Sequence, residues 1–452
     1  MNARKCKRPA PAEAMKDRAF HDLWMTAQGP ALCAVAADAM AALDQLDAAH
    51  RDKRSAAGER TRIPHRAELE VRAAMIGNIL ANLLWLHHDG RGRTRLIVDL
   101  SRRGIARYRP SIFRQLRPTL DALETAGFII WHGTEFYGWR TTIEATPGLN
   151  AAFDQHGATP ADIGRRDDEE TIILAPRPGR DGSRKLNRPP VAYRDVPQSK
   201  RYRREMRTIN ACLAAADIVL LAADGSGPQP MPAWRLVRRF STADPSASRQ
   251  PFDLHGRLYP QPDWWLSGLE RGQRHRLRIN GEPVAYLDFS NMHARLAYAE
   301  AGIAPPAGDL YRVPGLEDHR EGVKKAFAAM LSKRSTRRQF RDETMALFPA
   351  GTTPAQVADA IRSHHPGIAR LFGTDRTIRY MFIDSTIMVA VLLRLATLGI
   401  PALPLHDGLL VAQSASATAK AIMEGEGERV AGAALPVDEK DICALDQGLD
   451  DD

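Results

Sequence analysis

Two aspartates carry the chemistry most readily read from this chain. Asp288 closes the run Val284-Ala285-Tyr286-Leu287, and Asp407 interrupts the run from Leu403 to Val411, between His406 and Gly408. Short apolar runs of this kind read as buried strands, so each carboxylate stands at a strand end. If the strands are neighbours, both acids share one end of a sheet. Paired carboxylates there can hold two divalent cations, Mg2+ or Mn2+, across the attacking and leaving oxygens of a phosphoryl transfer. Each acid also has a local explanation. Asp-Gly is a strong turn signal, and an Asp at a strand–helix junction closes an Asx turn. The pair gains its meaning from order and surroundings.

Those surroundings are basic. Arg320 and Lys324 are four residues apart and share one face of a helix predicted from about His319 to Phe340, with Val323, Phe327, Met330 and Leu331 as its apolar stripe. A guanidinium fork and an ammonium point charge on one face suit a triphosphate. Lys333, Arg334, Arg337 and Arg338 extend the positive charge toward nucleic acid. The strand ending at Asp288 should lead into a helix from Asn291 to Gly302. A helix over Arg379–Leu398 should lead into a hairpin, Ile400 to Val411, with His406-Asp407-Gly408 at its turn. A helix Ala415–Ala431 and a strand Leu435–Val437 then follow.

The N-terminal half holds a second pattern. Ala31–Ala49 has helical spacing, and Arg51–Arg62 is a charged, solvated stretch. Glu68–Leu86 has helical apolar spacing. Ser111 can cap a helix in which Leu116, Leu120 and Leu123 recur, and Gly127 can end it. Strand-like pieces Phe128–Trp131 and Thr141–Ala145 come next, so helices followed by a hairpin resemble a winged helix. Arg102, Arg103, Arg107, Arg109, Arg114 and Arg117 surround its recognition helix, where they can neutralise phosphates. Asp167–Glu170 is acidic. Arg177–Arg204 is basic and broken by prolines, which reads as a linker or arm. Met206–Leu221 reads as a mostly apolar helix.

Composition sets the outer limits. The 452 residues suffice for two or three domains. With 63 Lys and Arg against 54 Asp and Glu, the formal charge of +9 favours a polyanionic partner. Cys6, Cys33, Cys212 and Cys443 have no paired spacing, which argues against a zinc site or a disulfide framework. The charged N-terminus lacks the apolar core of a signal peptide. The apolar runs Ala211–Ala223 and Met388–Ile400 contain Asp217 and Arg394 and are too short to span a bilayer. A cytoplasmic protein without membrane contact is expected.

At three segments the sequence resembles the family A DNA polymerases and the related single-subunit, phage-type RNA polymerases. Asp288, Ser290 and Arg295 match the first motif of that family, Arg320 and Lys324 the second, and His406-Asp407 at a hairpin the third. The resemblance covers roughly residues 277–437. It implies that Asp288 and Asp407 bind the catalytic metals and that Arg320 and Lys324 contact the incoming nucleoside triphosphate. It also places His406 near the primer terminus, and His293 and Arg295 beside the nucleotide. The chain departs from the pattern at His293, where the DNA enzymes carry Glu; at Ser332, where an aromatic residue is usual; and at Gly408, where an acid often follows the Asp. The short stretch between the two acids implies reduced helical fingers. Nothing in the N-terminal half resembles the proofreading exonuclease of the family.

The expected fold is therefore α+β: a polymerase-type palm with an antiparallel sheet, preceded by a winged-helix-like domain. The expected divisions are a helical segment 1–65, a winged-helix-like unit 66–150, a basic linker with a helix 151–234, and a palm and fingers domain 235–452. The expected activity is addition of nucleotides to a 3′ end of a DNA or RNA primer on a template, by a two-metal mechanism. A role in plasmid, phage or mobile-element replication would suit that combination. The competing reading is a non-catalytic winged-helix replication initiator or regulator with a decayed palm. A metal-dependent nuclease would use the same acids but has no need of the Arg320 and Lys324 pair.

Overall fold

The structure of the protein, a computed structural model, describes residues 17–89, 92–100, 105–132, 141–177, 190–261, 271–332 and 340–442. It is mixed α and β, with mainly antiparallel sheets, and divides into two compact units. The first comprises Met1–Glu170 with Pro228–Trp234, and the second Thr171–Gly227 with Arg235–Asp452. The expected linker is thus shared between units. Of the expected calls, Lys333, Arg334, Arg337 and Arg338, Arg102 and Arg103, and Cys6 and Cys443 lie outside the described residues.

The first unit runs β1 (Arg18–Phe20), β2 (Met25–Ala27), α1 (Pro30–Ala56), α2 (Arg66–His87), β3 (Arg95–Ile97), α3 (Leu116–Thr125), β4 (Ile129–His132), β5 (Thr142–Ala145), α4 (Pro147–His156) and β6 (Ile163–Arg165). Helix α1 buries Leu32, Val35, Ala39 and Leu43, one stripe at helical spacing; its C-terminal turns include the first part of the charged, solvated stretch. The helix expected from Ser111 begins instead at Leu116, after a 3₁₀ turn over Ser111–Gln115. Pro118 explains the delay. It has no N–H for the Arg114 carbonyl and would clash with it inside a continuous helix, whereas the first turn tolerates it. Strands β1, β3, β5 and β4 form one sheet in that order, and β2 pairs β6.

Helix α2 is buried continuously from Met75 to Leu84. Asn78 and Asn82, one turn apart, reach back to the β1–β2 turn. Asn78 Nδ2 donates to the Met25 carbonyl at 2.7 Å, and Asn82 Oδ1 accepts from the Asp22 N–H at 2.8 Å. Arg165 bridges Asp22 at 2.9 Å and Glu169 at 2.5 Å. Burial pushes the His21 imidazole down to about 4, so it is neutral where it meets Asn78. Buried polar groups satisfied in this way fix one chain path through the core.

The second unit runs β7 (Ile172–Pro176), α5 (Pro197–Ala214), β8 (Ile218–Leu220), β9 (Arg235–Thr242), β10 (His255–Gln261), β11 (Leu277–Ile279), β12 (Glu282–Phe289), α6 (Met292–Ala301), α7 (Arg320–Ser332), α8 (Asp342–Met345), α9 (Pro354–His364), α10 (Thr377–Thr397), β13 (Ala402–Leu405), β14 (Gly408–Ala412), α11 (Ser416–Ala431) and β15 (Val437–Lys440). The helix expected over Met206–Leu221 starts at Pro197 and stops at Ala214. Its basic residues form the outer side of an amphipathic helix that buries Tyr202, Met206, Ile209 and Leu213. Pro197 suits the first helical turn, and the β-branched pair Ile218-Val219 goes to a strand. Strand β9 lies between β10 and β7. A larger sheet has the order β13-β14-β12-β11-β8, with β15 paired to β12.

Helices α2 and α10 are long and apolar enough to cross a membrane by length and composition, with 61% and 50% of their most apolar windows buried. Continuous apolar runs alone did not reveal them. Their polar residues Asn78, Asn82 and Asp384 are buried and bonded within the protein, as in core helices.

Candidate active site

Strand β12 pairs antiparallel with β14, and Asp288 lies opposite Gly408. The β13–β14 hairpin closes on the pair Leu405 and Gly408, so His406 and Asp407 are its two turn residues. His406 is exposed and takes a left-handed φ of 60°. The Phe289 N–H donates to the Asp407 carbonyl at 3.3 Å, which ties the turn to the end of β12. Gly408 is required here. A Cβ at this position would stand 2.7 Å from the Leu287 carbonyl oxygen and 3.1 Å from Asp288 Oδ1.

Asp288 senses the charge of Asp407. Burial, then the negative charge of Asp407, push the Asp288 carboxyl up to about 7; Lys440 and Lys324 pull the other way, and Asp438 adds to the rise. Lys324 on α7 is thus within electrostatic reach of Asp288. Asp438 stands opposite Asp288 on β15, accepts a hydrogen bond from the Ser290 hydroxyl, and lies 3.6 Å from the Lys440 ammonium. Among the described residues, no group of three or more His, Cys, Asp and Glu side chains is arranged to hold a metal ion.

Arg320, one turn before Lys324, is exposed and ion-paired with Asp309 while its guanidinium lies 5.8 Å from the Tyr311 ring centroid. Tyr311 is buried. Burial and then the charge of Asp407 push its phenol up, so Tyr311 is within electrostatic reach of Asp407. The remaining expected contacts are used differently. Arg295 donates to the Ser290 carbonyl at 3.1 Å, and so braces the turn after Asp288. His293 Nε2 lies 3.2 Å from Asp384 Oδ2.

Asp384 is the residue sequence reasoning missed. It sits in the middle of α10 with a side chain 0% exposed, and Arg257 of β10 grips it at 2.6 Å. Burial alone would raise its carboxyl, but Arg257 and His293 outweigh burial and hold it below the usual carboxylate range. Arg257 in turn stays charged against burial through Asp384 and, next, Asp407. Its neighbour on the same strand face, Tyr259, bonds His255 at 3.2 Å and packs edge-on to His406, ring centroids 6.0 Å apart. The signal available in the sequence was the lone acid inside the apolar helical run Thr377–Thr397. A charge buried on an apolar helix needs a partner.

In the first unit the expected nucleic-acid contacts are partly engaged with their own chain. Arg107 pairs Glu170 at 2.9 Å, Arg109 lies 3.8 Å from Asp99 and over the Phe113 ring, and Arg117 pairs Asp121 at 3.1 Å while covering Trp131. Arg114 is exposed.

No known family model matches this chain, and no curated protein matches it.

Proposed function

We propose that the second unit is a nucleotidyltransferase of the polymerase kind, which adds nucleotides to the 3′ end of a DNA or RNA primer with Mg2+ or Mn2+. The observation that carries this reading is the register of β12 with β14. It sets two carboxylates, Asp288 and Asp407, together at one sheet end, with the Lys324 ammonium in reach. The donor set fits hard divalent cations. Burial first and then the like charge of Asp407 disfavour the ionised Asp288 carboxyl, and a cation relieves that cost. Two carboxylates suffice where substrate phosphates and waters complete the shell.

In this reading Asp288 and Asp407 hold the cations, which when bound supply charge stabilisation at the attacking and leaving oxygens. Lys324 draws the triphosphate onto α7. Arg320 adds its fork when the phosphates displace Asp309, an exchange made easy by the exposure of that ion pair. Tyr311 and Arg257 both sense the Asp407 charge. His406, exposed at the turn, meets the acceptor strand. The hydroxyl need not find a general base, because charge and alignment do most of the work in phosphoryl transfer.

For the first unit we propose duplex DNA binding by a winged-helix-like arrangement. The order α2, β3, α3, then the β4–β5 hairpin supports it.

The test is nucleotide incorporation by the full chain with Mg2+ or Mn2+, each nucleotide pool, and primed and unprimed templates. Asp288→Asn and Asp407→Asn should each lower incorporation at least about a hundredfold while the fold persists, because charge stabilisation of the transition state is lost. The double variant should be little worse than either single one, since both acids serve one cluster. Incorporation that survives in both single variants places the site elsewhere. No incorporation by wild type on any template favours a DNA-binding protein with a decayed palm.

A further inference from the structure

A largely enclosed guanidinium within electrostatic reach of Asp407 poses a problem that Asp384 answers. Arg257 lies on β10, two residues from Tyr259 on the same strand face, and Tyr259 packs against His406, the neighbour of Asp407. The guanidinium feels the Asp407 charge. Left to itself, a cation so placed would turn toward Asp407 and occupy the negative charge there. It does not, because Asp384 holds Nη2 at 2.6 Å and Nε at 3.2 Å, and His293 stands 3.5 Å from the same Nη2. Asp384 itself is wholly enclosed, and Arg257 and His293 are the side chains that bond its carboxylate.

The strand is shaped for this contact. His255 and Gly256 both take positive φ, 66° and 76°, at a bulge in the β10–β9 pairing. A Cβ on Gly256 would meet Ser385 Oγ, the residue after Asp384, at 2.8 Å. Glycine therefore lets β10 approach α10 closely enough for Arg257 to reach Asp384. A bulge re-aims the side chain that follows it.

We propose that Asp384 is a positioning residue that keeps the Arg257 guanidinium turned away from Asp407, so that Asp288 and Asp407 retain their negative charge for divalent cations. The proposal rests on the reading of those two acids as the cation site. It assigns Asp384 a role distinct from a structural clamp. A clamp between β10, α6 and α10 works through the ion pair, so removing both partners should harm the site. A charge-holding role works against Arg257, so removing both should spare it.

The experiment measures uptake of Mn2+ by the full chain without nucleotide, from the loss of the free-ion electron paramagnetic resonance signal, with thermal unfolding followed in parallel. Asp384→Asn should bind Mn2+ about tenfold more weakly than wild type, because an unrestrained guanidinium competes for the carboxylates. The double variant Arg257→Gln with Asp384→Asn should return to within about threefold of wild type, since the two residues are coupled and their effects do not add. Equal Mn2+ affinity in wild type and Asp384→Asn overturns the role of Asp384 and leaves the proposed function standing. A double variant as weak as the single one, or about tenfold weaker than wild type where the single variant fails to fold, identifies a clamp and overturns the proposal. Wild type that takes up no Mn2+ sinks the proposed function and this inference together.

Discussion

Asp288 should make cation binding depend on pH in a window unusual for an aspartate. Its carboxyl is pushed up from an ordinary 3.8 to about 7, first by burial and then by Asp407. A divalent cation needs the ionised form. Between pH 8 and pH 6 the ionised fraction falls from about nine tenths to about one tenth, so Mn2+ affinity should drop about tenfold and level off above pH 8. Stability carries the opposite sign in the metal-free protein. The folded state holds the Asp288 proton more tightly than the unfolded chain, so the favourable contribution is full below pH 3.8 and is lost as pH rises through about 7. Mn2+ should therefore raise the unfolding temperature more at pH 8 than at pH 6. Mn2+ titrations and thermal unfolding across this range test both signs. Carbon-13 NMR of the aspartate carboxyls separates the causes: in Asp407→Asn the Asp288 midpoint should fall but stay above the ordinary value, because burial remains the larger cause. An affinity flat between pH 6 and 8, or an Asp288 midpoint near 4 in the wild type, would refute the reasoning.

Lys324→Ala should raise the nucleotide KM about ten- to a hundredfold, as one charge-assisted phosphate contact is lost. It should also move the Asp288 midpoint upward, since Lys324 favours the ionised form; an unchanged KM would remove α7 from the site. Arg114→Ala with Arg117→Ala should weaken duplex binding by the full chain and lessen its salt dependence by up to about two counterions. Binding indifferent to both changes, at low salt, would leave Arg114 and Arg117 as ordinary surface residues.

Periodicity and turn chemistry made much of the second unit legible. The strand to Asp288, the helix after it, the helix from Thr377 and the hairpin around Asp407 lie within a few residues of their expected positions, because each has a strong apolar period and a clear terminator. Pairing was less legible. Strand β15 begins at Val437 rather than Leu435, and its pairing with β12, which brings Asp438 and Lys440 beside Asp288, depends on contacts distant in sequence. The Arg257–Asp384–His293 cluster joins three elements spread over more than a hundred residues, and no local spacing announces it. In the first unit, arginines expected to face nucleic acid also answer acids of their own chain. Charge counts cannot separate an intramolecular pair from a free cation, whereas geometry can.

The residues at which the sequence departs from the polymerase motifs it was expected to resemble have definite local settings. Gly408 stands where an acid often follows the hairpin Asp. Opposite it, the β12 backbone and the Tyr286 ring come within 2.7 Å of where a Cβ would be. A side chain there would push β14 off β12 and separate Asp407 from Asp288. Glycine thus secures the close pairing of the two acids at the cost of a third carboxylate. Ser332 stands where an aromatic residue is usual. Its hydroxyl donates to the Ala328 carbonyl at 2.7 Å and meets the Thr377 hydroxyl, also at 2.7 Å, at the start of α10. The end of α7 is therefore joined to α10 by a small polar contact. His293, for its part, joins α6 to α10 through Asp384. Gly408, Ser332 and His293 thus each mark a contact between elements: β14 with β12, α7 with α10, and α6 with α10.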